Sequence, residues 1–388
     1  MYPHQIERLT SALDAAGGEA LVASSAPNVA YVTGFRSLTH ALLDSPQFGV
    51  FTRRGTALVV PAADVAAAVA DADVEVDHVL CFGAPCAASA DTSGPLGRRV
   101  QAIVSQRVPA AADALAAALK ALAVGEGAIA LDEAGSDRQQ ITQRLRHLRV
   151  VPGSAYLSAA RRVKAPFEIE CLAGALRIAE EALNEVIQML KRGVTEREAT
   201  TVYLTEVVRR GGDPTPSTVT MGDRTGLGLV WPSERALRPG ELVRLDVGCV
   251  YRGYVARVGR TAVLGEPTSE HDTAHGAIQA GLEAAVDTAA PGRPAGEVYA
   301  AALRAVREHG LSDYRCAGVG HGIGLELSEL PSLVPDDATP LEAGEVLSLE
   351  LAHHAVGQQG VLARDTVLVT AGGARVLNRS ARGLVTLD

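Results

Sequence analysis

The sequence predicts an α+β chain of two domains. A small α/β domain occupies residues 1–153, and in residues 154–388 an antiparallel sheet is covered by helices on one face. Three observations predict this. Short apolar strand-like runs alternate with helical periodicity through the first segment. The turn cluster Val151-Pro152-Gly153-Ser154 then breaks the alternation. After it, a helix pair followed by a strand-rich stretch occurs twice, a weak sign of internal duplication.

Ile6 to Ala16 reads as a helix stopped by Gly17-Gly18, because glycine accepts the left-handed C-cap conformation. Ala20 to Ala23 reads as a short buried strand, and Ser25-Ala26-Pro27-Asn28 as a turn before Val29 to Thr33. Phe48 to Phe51 and Ala57 to Val60 form a hairpin across Thr52-Arg53-Arg54-Gly55. Helices are expected over Ala62 to Ala70, Val100 to Val104 and Ala111 to Val124, and a strand over Ala128 to Asp132. In the second domain, helices span Glu168 to Arg192 and Glu196 to Arg210, with Thr195 and Glu198 at capping-box spacing. Strands follow from Val243 to Leu264. Helices return over Glu270 to Ala289 and Ala295 to Gly310, separated by Pro291-Gly292. The last strands are Val346 to Leu351, Gly360 to Val369 and Arg375 to Leu377.

At 388 residues the chain is long enough for two cores, and 47% hydrophobic with 21% charged residues is an ordinary soluble composition. A net charge of −9 argues against general nucleic-acid binding, which needs a basic surface. The first residues lack a basic stretch followed by an apolar one, so no secretory signal is expected. No apolar run approaches the roughly 18–20 residues that span a bilayer. Cys81, Cys86, Cys171, Cys249 and Cys316 are odd in number and scattered, which predicts reduced thiols in a cytoplasmic protein. Cys81 and Cys86 are close, but no second Cys/His pair completes a zinc site beside them.

Four segments carry a resemblance. Arg162-Val163-Lys164-Ala165-Pro166-Phe167-Glu168-Ile169 opens the second domain. Leu245-Asp246-Val247-Gly248 precedes Tyr251-Arg252-Gly253-Tyr254 and Arg260-Thr261. Gly320-His321-Gly322-Ile323-Gly324-Leu325 precedes Glu329-Leu330-Pro331, and Glu350 precedes Gly360-Val361 and Asp365-Thr366. Together they resemble the creatinase, prolidase and aminopeptidase P family. The resemblance implies a creatinase-like N-terminal domain and a C-terminal pita-bread domain. It also implies a homodimer. Metallopeptidase members hold two metal ions with five ligands. Asp246, His321 and Glu350 match three of them, but Arg257 and Arg364 stand at the two remaining carboxylate positions. Two further histidines of the family fall near Leu229 and on Ser328.

A guanidinium neither loses its proton nor ligates a cation, so the pattern predicts a site with no metal and no cofactor. Two arginines also balance the two carboxylates that remain, and pairs among Arg257, Arg364, Asp246 and Glu350 are expected, with the partner assignment open. Such pairs serve either as a scaffold or as holders of a substrate's negative group. His321 is the best general acid–base candidate, or else a histidine that holds its glycine loop. Glu350 and Glu329 are candidates to orient substrate or water, and Glu329 reads equally as a salt-bridged residue. Trp231, the sole tryptophan, is a candidate pocket wall. Tyr254 and Arg260 read as supports for the strands, and Cys249 and Cys316 as small apolar fillers in strands. Either His353 or His354 could reach the pocket. The leading expectation is a metal-independent, creatinase-type hydrolase of a C–N bond in a small anionic amide or amidine. The alternatives are a non-catalytic module binding a short peptide or small carboxylate, and an Xaa-Pro peptidase.

Overall fold

A computed structural model describes residues 3–85, 93–132 and 138–388, and the chain divides into two units, Met1–Arg161 and Arg162–Asp388. Cys86 lies outside the described residues. The division falls after the helix Ser154–Arg162 and not at Gly153, where the turn cluster had placed it. That helix is tied to the first unit. Ser154 Oγ donates to Asp132 at 2.8 Å, Arg8 Nη2 to the Ala159 carbonyl at 3.1 Å, and Tyr31 Oη to the Ala160 carbonyl at 3.0 Å.

The first unit carries a six-stranded sheet in the order His78–Phe82, Gly55–Pro61, Phe48–Thr52, Ala20–Ala23, Ala128–Leu131, Arg149–Pro152. The expected hairpin is present, with Phe48 opposite Val59 and Thr52 opposite Gly55. The expected turn at Ser25–Asn28 is instead the start of a helix, Ala26–Thr33. Pro27 sits in its first turn, where a missing N–H leaves nothing unpaired. Asp132 accepts from Ser25 N at 3.0 Å, Ser25 Oγ at 2.8 Å and Asn28 Nδ2 at 2.8 Å, which anchors the helix start.

In the second unit, two antiparallel hairpins form the middle of a larger sheet. Leu242–Tyr251 pairs with Tyr254–Leu264, and Val346–His353 with Val361–Thr370. The helices Pro166–Met189 and Glu196–Arg209 precede the first hairpin, and Ser269–Thr288 and Ala295–Glu308 precede the second. Successive strand residues point to opposite faces. Leu245, Val247, Ala256 and Val258 therefore pack against Ala175, Ala179 and Ala182 of the first long helix. Leu347, Leu349, Ala363 and Val367 pack against Ile278, Leu282 and Ala285.

The same alternation gathers a polar set on the other face. Asp246 lies opposite Gly259, Gly259 opposite Arg364, and Arg364 opposite Glu350. Ser348 shares that face, and His321 of the short strand Gly320–Gly322 lies opposite Ser348. Arg244 and Arg257 lie two residues along their strands from Asp246 and Gly259, so they project to this face as well.

One buried ion group sits on the helix-covered face. Arg260 Nη2 donates to Asp365 at 3.0 Å and to Ser380 Oγ at 2.8 Å, and Arg382 Nε holds the other Asp365 oxygen at 2.5 Å. Arg260 thus supports the strands, as expected from the sequence. Removing one partner strands a buried charge, which typically costs about 3–5 kcal/mol. Arg260→Met is accordingly expected to lower stability in urea denaturation by about 3 kcal/mol, and an unchanged midpoint would refute this account of the group.

Candidate active site

Two guanidiniums close on one carboxylate. Arg257 Nη2 lies 2.6 Å from Asp246 Oδ1, and Arg364 Nη1 lies 2.8 Å from the same oxygen. Arg364 Nη2 also pairs with Glu350 Oε2. Arg364 therefore spans from its neighbour strand on one side to the second strand over on the other. The residue it crosses is Gly259. A Cβ there would meet Arg364 Cβ at 2.8 Å and Leu362 Cδ2 at 2.9 Å. A glycine inside a strand marks such a close approach.

Asp246, Arg257 and Arg364 are buried. Burial alone would raise the Asp246 pKa, but the Arg364 and Arg257 charges outweigh it and hold the carboxyl below its ordinary range. Burial, with Arg257 and Arg244 nearby, brings Arg364 down to about 10, so it stays charged at neutral pH.

Glu350 and His321 line a cavity of about 800 Å³ with Tyr314, Cys316, His353 and His354, within the size range of small-ligand sites. The Glu350 side chain keeps 32% of its surface exposed. His321 Nδ1 lies 2.8 Å from the Gly322 carbonyl, which can only accept, so Nδ1 carries the proton and Nε2 is the basic nitrogen. Burial is the main influence lowering the His321 pKa. The Gly322 carbonyl opposes it, and Arg364 and Arg257 add to the lowering. A neutral histidine with a free Nε2 is suited to accept a proton.

The cavity lining includes Glu350 but not Asp246, Arg257 or Arg364. Arg364 joins the cavity through its pair with Glu350, and Arg257 through the Asp246 carboxylate that it shares with Arg364. Glu329 is buried and holds Lys164 Nζ at 2.8 Å, so it stands as a salt-bridged residue. Trp231 is 86% exposed and lies outside the cavity lining, so the structure does not bring it to His321. Leu229 and Ser328 are likewise exposed. Tyr254 Oη donates to Glu168 at 3.0 Å, a support for the fold. Cys249 is buried in its strand, with its thiol pushed up to about 12 by burial, whereas Cys316 lies in the loop before Gly320 and not in a strand. Arg244 is the residue that sequence reasoning missed. Its signal was a charge at an inward position two residues before Asp246.

The fold and site define a pita-bread hydrolase scaffold. The sequence profile of metallopeptidase family M24 matches residues 170–371, just over half of the chain. The chain belongs to that family. An Xaa-Pro dipeptidase from Pyrococcus furiosus is 31% identical over 227 residues, 58% of this chain and 65% of that protein. The match thus spans under two thirds of that relative. The prolidase structure from Pyrococcus horikoshii superposes with a TM-score of 0.81 at 22% identity, covering 98% of this chain and 99% of that one. The X-Pro aminopeptidase structure from Thermotoga maritima gives 0.79 at 20% identity, with 98% and 99% covered.

Such a family implies metal ions at the carboxylate cluster, and the residues present do not fit them. The guanidiniums of Arg257 and Arg364 hold both carboxylates. Among the described residues, no three His, Cys, Asp or Glu side chains gather as a metal requires. Among those residues, too, no helix is long and apolar enough to cross a membrane.

Two pH dependences follow. A depressed folded pKa gives stability that is present above the unfolded pKa and lost as pH falls through the folded one. For Asp246 that loss lies below about pH 4, and Asp246→Asn is expected to flatten this acid limb in denaturant titrations. For His321 the loss begins below about 6.5, and its ring proton signals in NMR are expected to titrate below that value. A His321 midpoint above 6.5 would contradict the assigned neutral state.

Proposed function

We propose that the protein is a metal-independent hydrolase of the creatinase type, acting on a C–N bond of a small anionic amide or amidine. The carrying observation is the pairing of Arg257 and Arg364 with Asp246 and Glu350, beside a neutral His321 that lines the same cavity as Glu350 and whose Nε2 has no hydrogen-bond partner among the described residues. Three guanidiniums, Arg244, Arg257 and Arg364, face two carboxylates, Asp246 and Glu350, across this polar face. The surplus positive charge favours an anionic ligand. His321 Nε2 takes a proton from the attacking water and returns it to the leaving nitrogen. The exposed edge of Glu350 accepts N–H groups of the substrate and fixes its orientation. In this reading the protein works as a homodimer, as the family resemblance implies, and in the cytoplasm, as its scattered, odd-numbered cysteines suggest.

Two other readings each have one observation behind them. The relatives' names favour an Xaa-Pro peptidase, which the donor set opposes. Burial of both arginines in ion pairs favours a binding module without turnover. Protein purified without chelator is expected to carry only substoichiometric manganese, cobalt, iron or zinc, and Xaa-Pro dipeptides with added manganese are expected to remain uncleaved. A stoichiometric pair of ions with dipeptide turnover would overturn the proposal. In a thermal-shift screen of small carboxylates, amides and amidines, a ligand that binds only the folded state raises the melting temperature, more so the further its concentration exceeds Kd. A compound that stabilises both wild type and His321→Ala, but is hydrolysed only by wild type, is the expected outcome. Binding with no turnover of any such compound would favour the binding module.

A further inference from the structure

We propose that Arg315 takes the carboxylate of the ligand and so sets the preference of this cavity for anionic amides. This deepens the function proposed above and rests on that reading of the cavity. Arg257 and Arg364 are committed to Asp246 and Glu350. Turning either toward a ligand would strip a carboxylate of its counter-charge, which is costly in a buried pair. An anionic ligand therefore needs a further cation at the cavity wall.

Among the described residues, Arg315 is the only Lys or Arg that lines the cavity with His321 and Glu350. The three histidines of that wall, His321, His353 and His354, are all pushed toward the neutral form, mainly by burial. At neutral pH the positive charge of the wall is thus carried by Arg315. Its side chain is exposed and makes no hydrogen bond or ion pair among the described residues. Asp313, two residues away and also in the lining, does not pair with it. A guanidinium whose donors are unengaged presents a planar fork that matches a carboxylate.

The backbone that carries Arg315 is fixed on two sides. Toward the helix Ala295–Glu308, Arg307 Nε donates to the Tyr314 carbonyl at 3.0 Å and Tyr299 Oη to the Cys316 carbonyl at 2.9 Å. Toward the strand Val346–His353, Tyr314 Oη donates to the Ala352 carbonyl at 3.0 Å and Glu350 N to the Val319 carbonyl at 2.9 Å. The segment therefore runs beside the strand end that bears Glu350, and both neighbours of Arg315 are held. The long side chain is the adjustable part, on a fixed mount. A ligand with a carboxylate at one end and N–H groups at the other can meet Arg315 and the exposed edge of Glu350 together, with His321 in the same wall. Asp313 and Glu350 are both acidic, so a ligand with only negative groups meets repulsion that an N–H donor does not.

Calorimetric binding tests this with N-carbamoylglycine and N-carbamoylglycinamide, in which a neutral amide replaces the carboxylate. Wild type is expected to bind the acid about tenfold more tightly than the amide. Arg315→Ala is expected to cut that ratio to less than about threefold, and Arg315→Lys to keep part of it. Both changes are at an exposed side chain, and an unchanged melting temperature checks that the fold is intact. Equal affinities in wild type, or an undiminished ratio in Arg315→Ala, would overturn the carboxylate role while leaving the proposed C–N hydrolysis standing. If wild type binds neither compound, the substrate class proposed above fails, and a second measurement decides the role of Arg315. In protein labelled with 15N-arginine, the Nε–H signal of Arg315, assigned by its loss in Arg315→Lys, is followed during titration with sodium acetate. It is expected to shift and saturate at concentrations that leave exposed arginines outside the cavity unmoved. A response no different from theirs would overturn the proposal.

Discussion

A carboxylate with almost no access to water must have its charge answered nearby, and the polar face of the second unit is arranged around that constraint at Asp246. Desolvation pushes Asp246 toward the neutral acid, and two guanidiniums keep it ionised. Arg257 reaches it from the adjacent strand and Arg364 from one strand further. Because Arg364 is shared with Glu350, the same cation that balances the interior also pairs with a group open to the cavity. Interior compensation and surface chemistry are therefore one electrostatic system. Its proximity to His321 helps keep that ring neutral.

Much of this was legible in the sequence because strand alternation is a strict rule. Once Asp246, Arg257, Glu350 and Arg364 are placed on paired strands, a shared face follows from their spacing. The glycine-framed His321 was equally readable. Which arginine meets which acid was not, since it depends on register and on the absence of a side chain at Gly259, both products of pairing between distant segments. Trp231 and Glu329 illustrate the opposite difficulty. Both lie at positions where the family resemblance suggested a pocket, yet the direction of a loop side chain and the presence of Lys164 are tertiary facts. In the first unit, the strands His78–Phe82 and Arg149–Pro152 escaped detection because they are half-exposed and carry no clear alternation. The helix at Ala26–Thr33 escaped because its anchor, Asp132, lies about a hundred residues away.

Arg244 shows how a charged residue stays buried with no carboxylate in direct contact among the described residues. Three carbonyl dipoles and a histidine nitrogen stand in for a counter-ion, which is feasible because guanidinium is planar, multiply donating and weakly hydrated. A lysine offers a more compact and more strongly hydrated charge with fewer directed donors, and would match that carbonyl fan poorly.

The absence of a side chain at Gly259 bears on how such a site can arise or revert. Three strands share one network through the gap, so an acid at position 364 alone would place a third carboxylate beside Asp246 and Glu350 with Arg257 and Arg244 to offset them. Restoring one at 257 alone would leave Arg364 in the space a metal ion needs. Each single step turns a surplus of one positive charge on this face into a surplus of one negative charge, and a bulkier residue at 259 would cut the crossing altogether. The arginine pair therefore acts as a unit, whose charge and crossing depend on both members being present together.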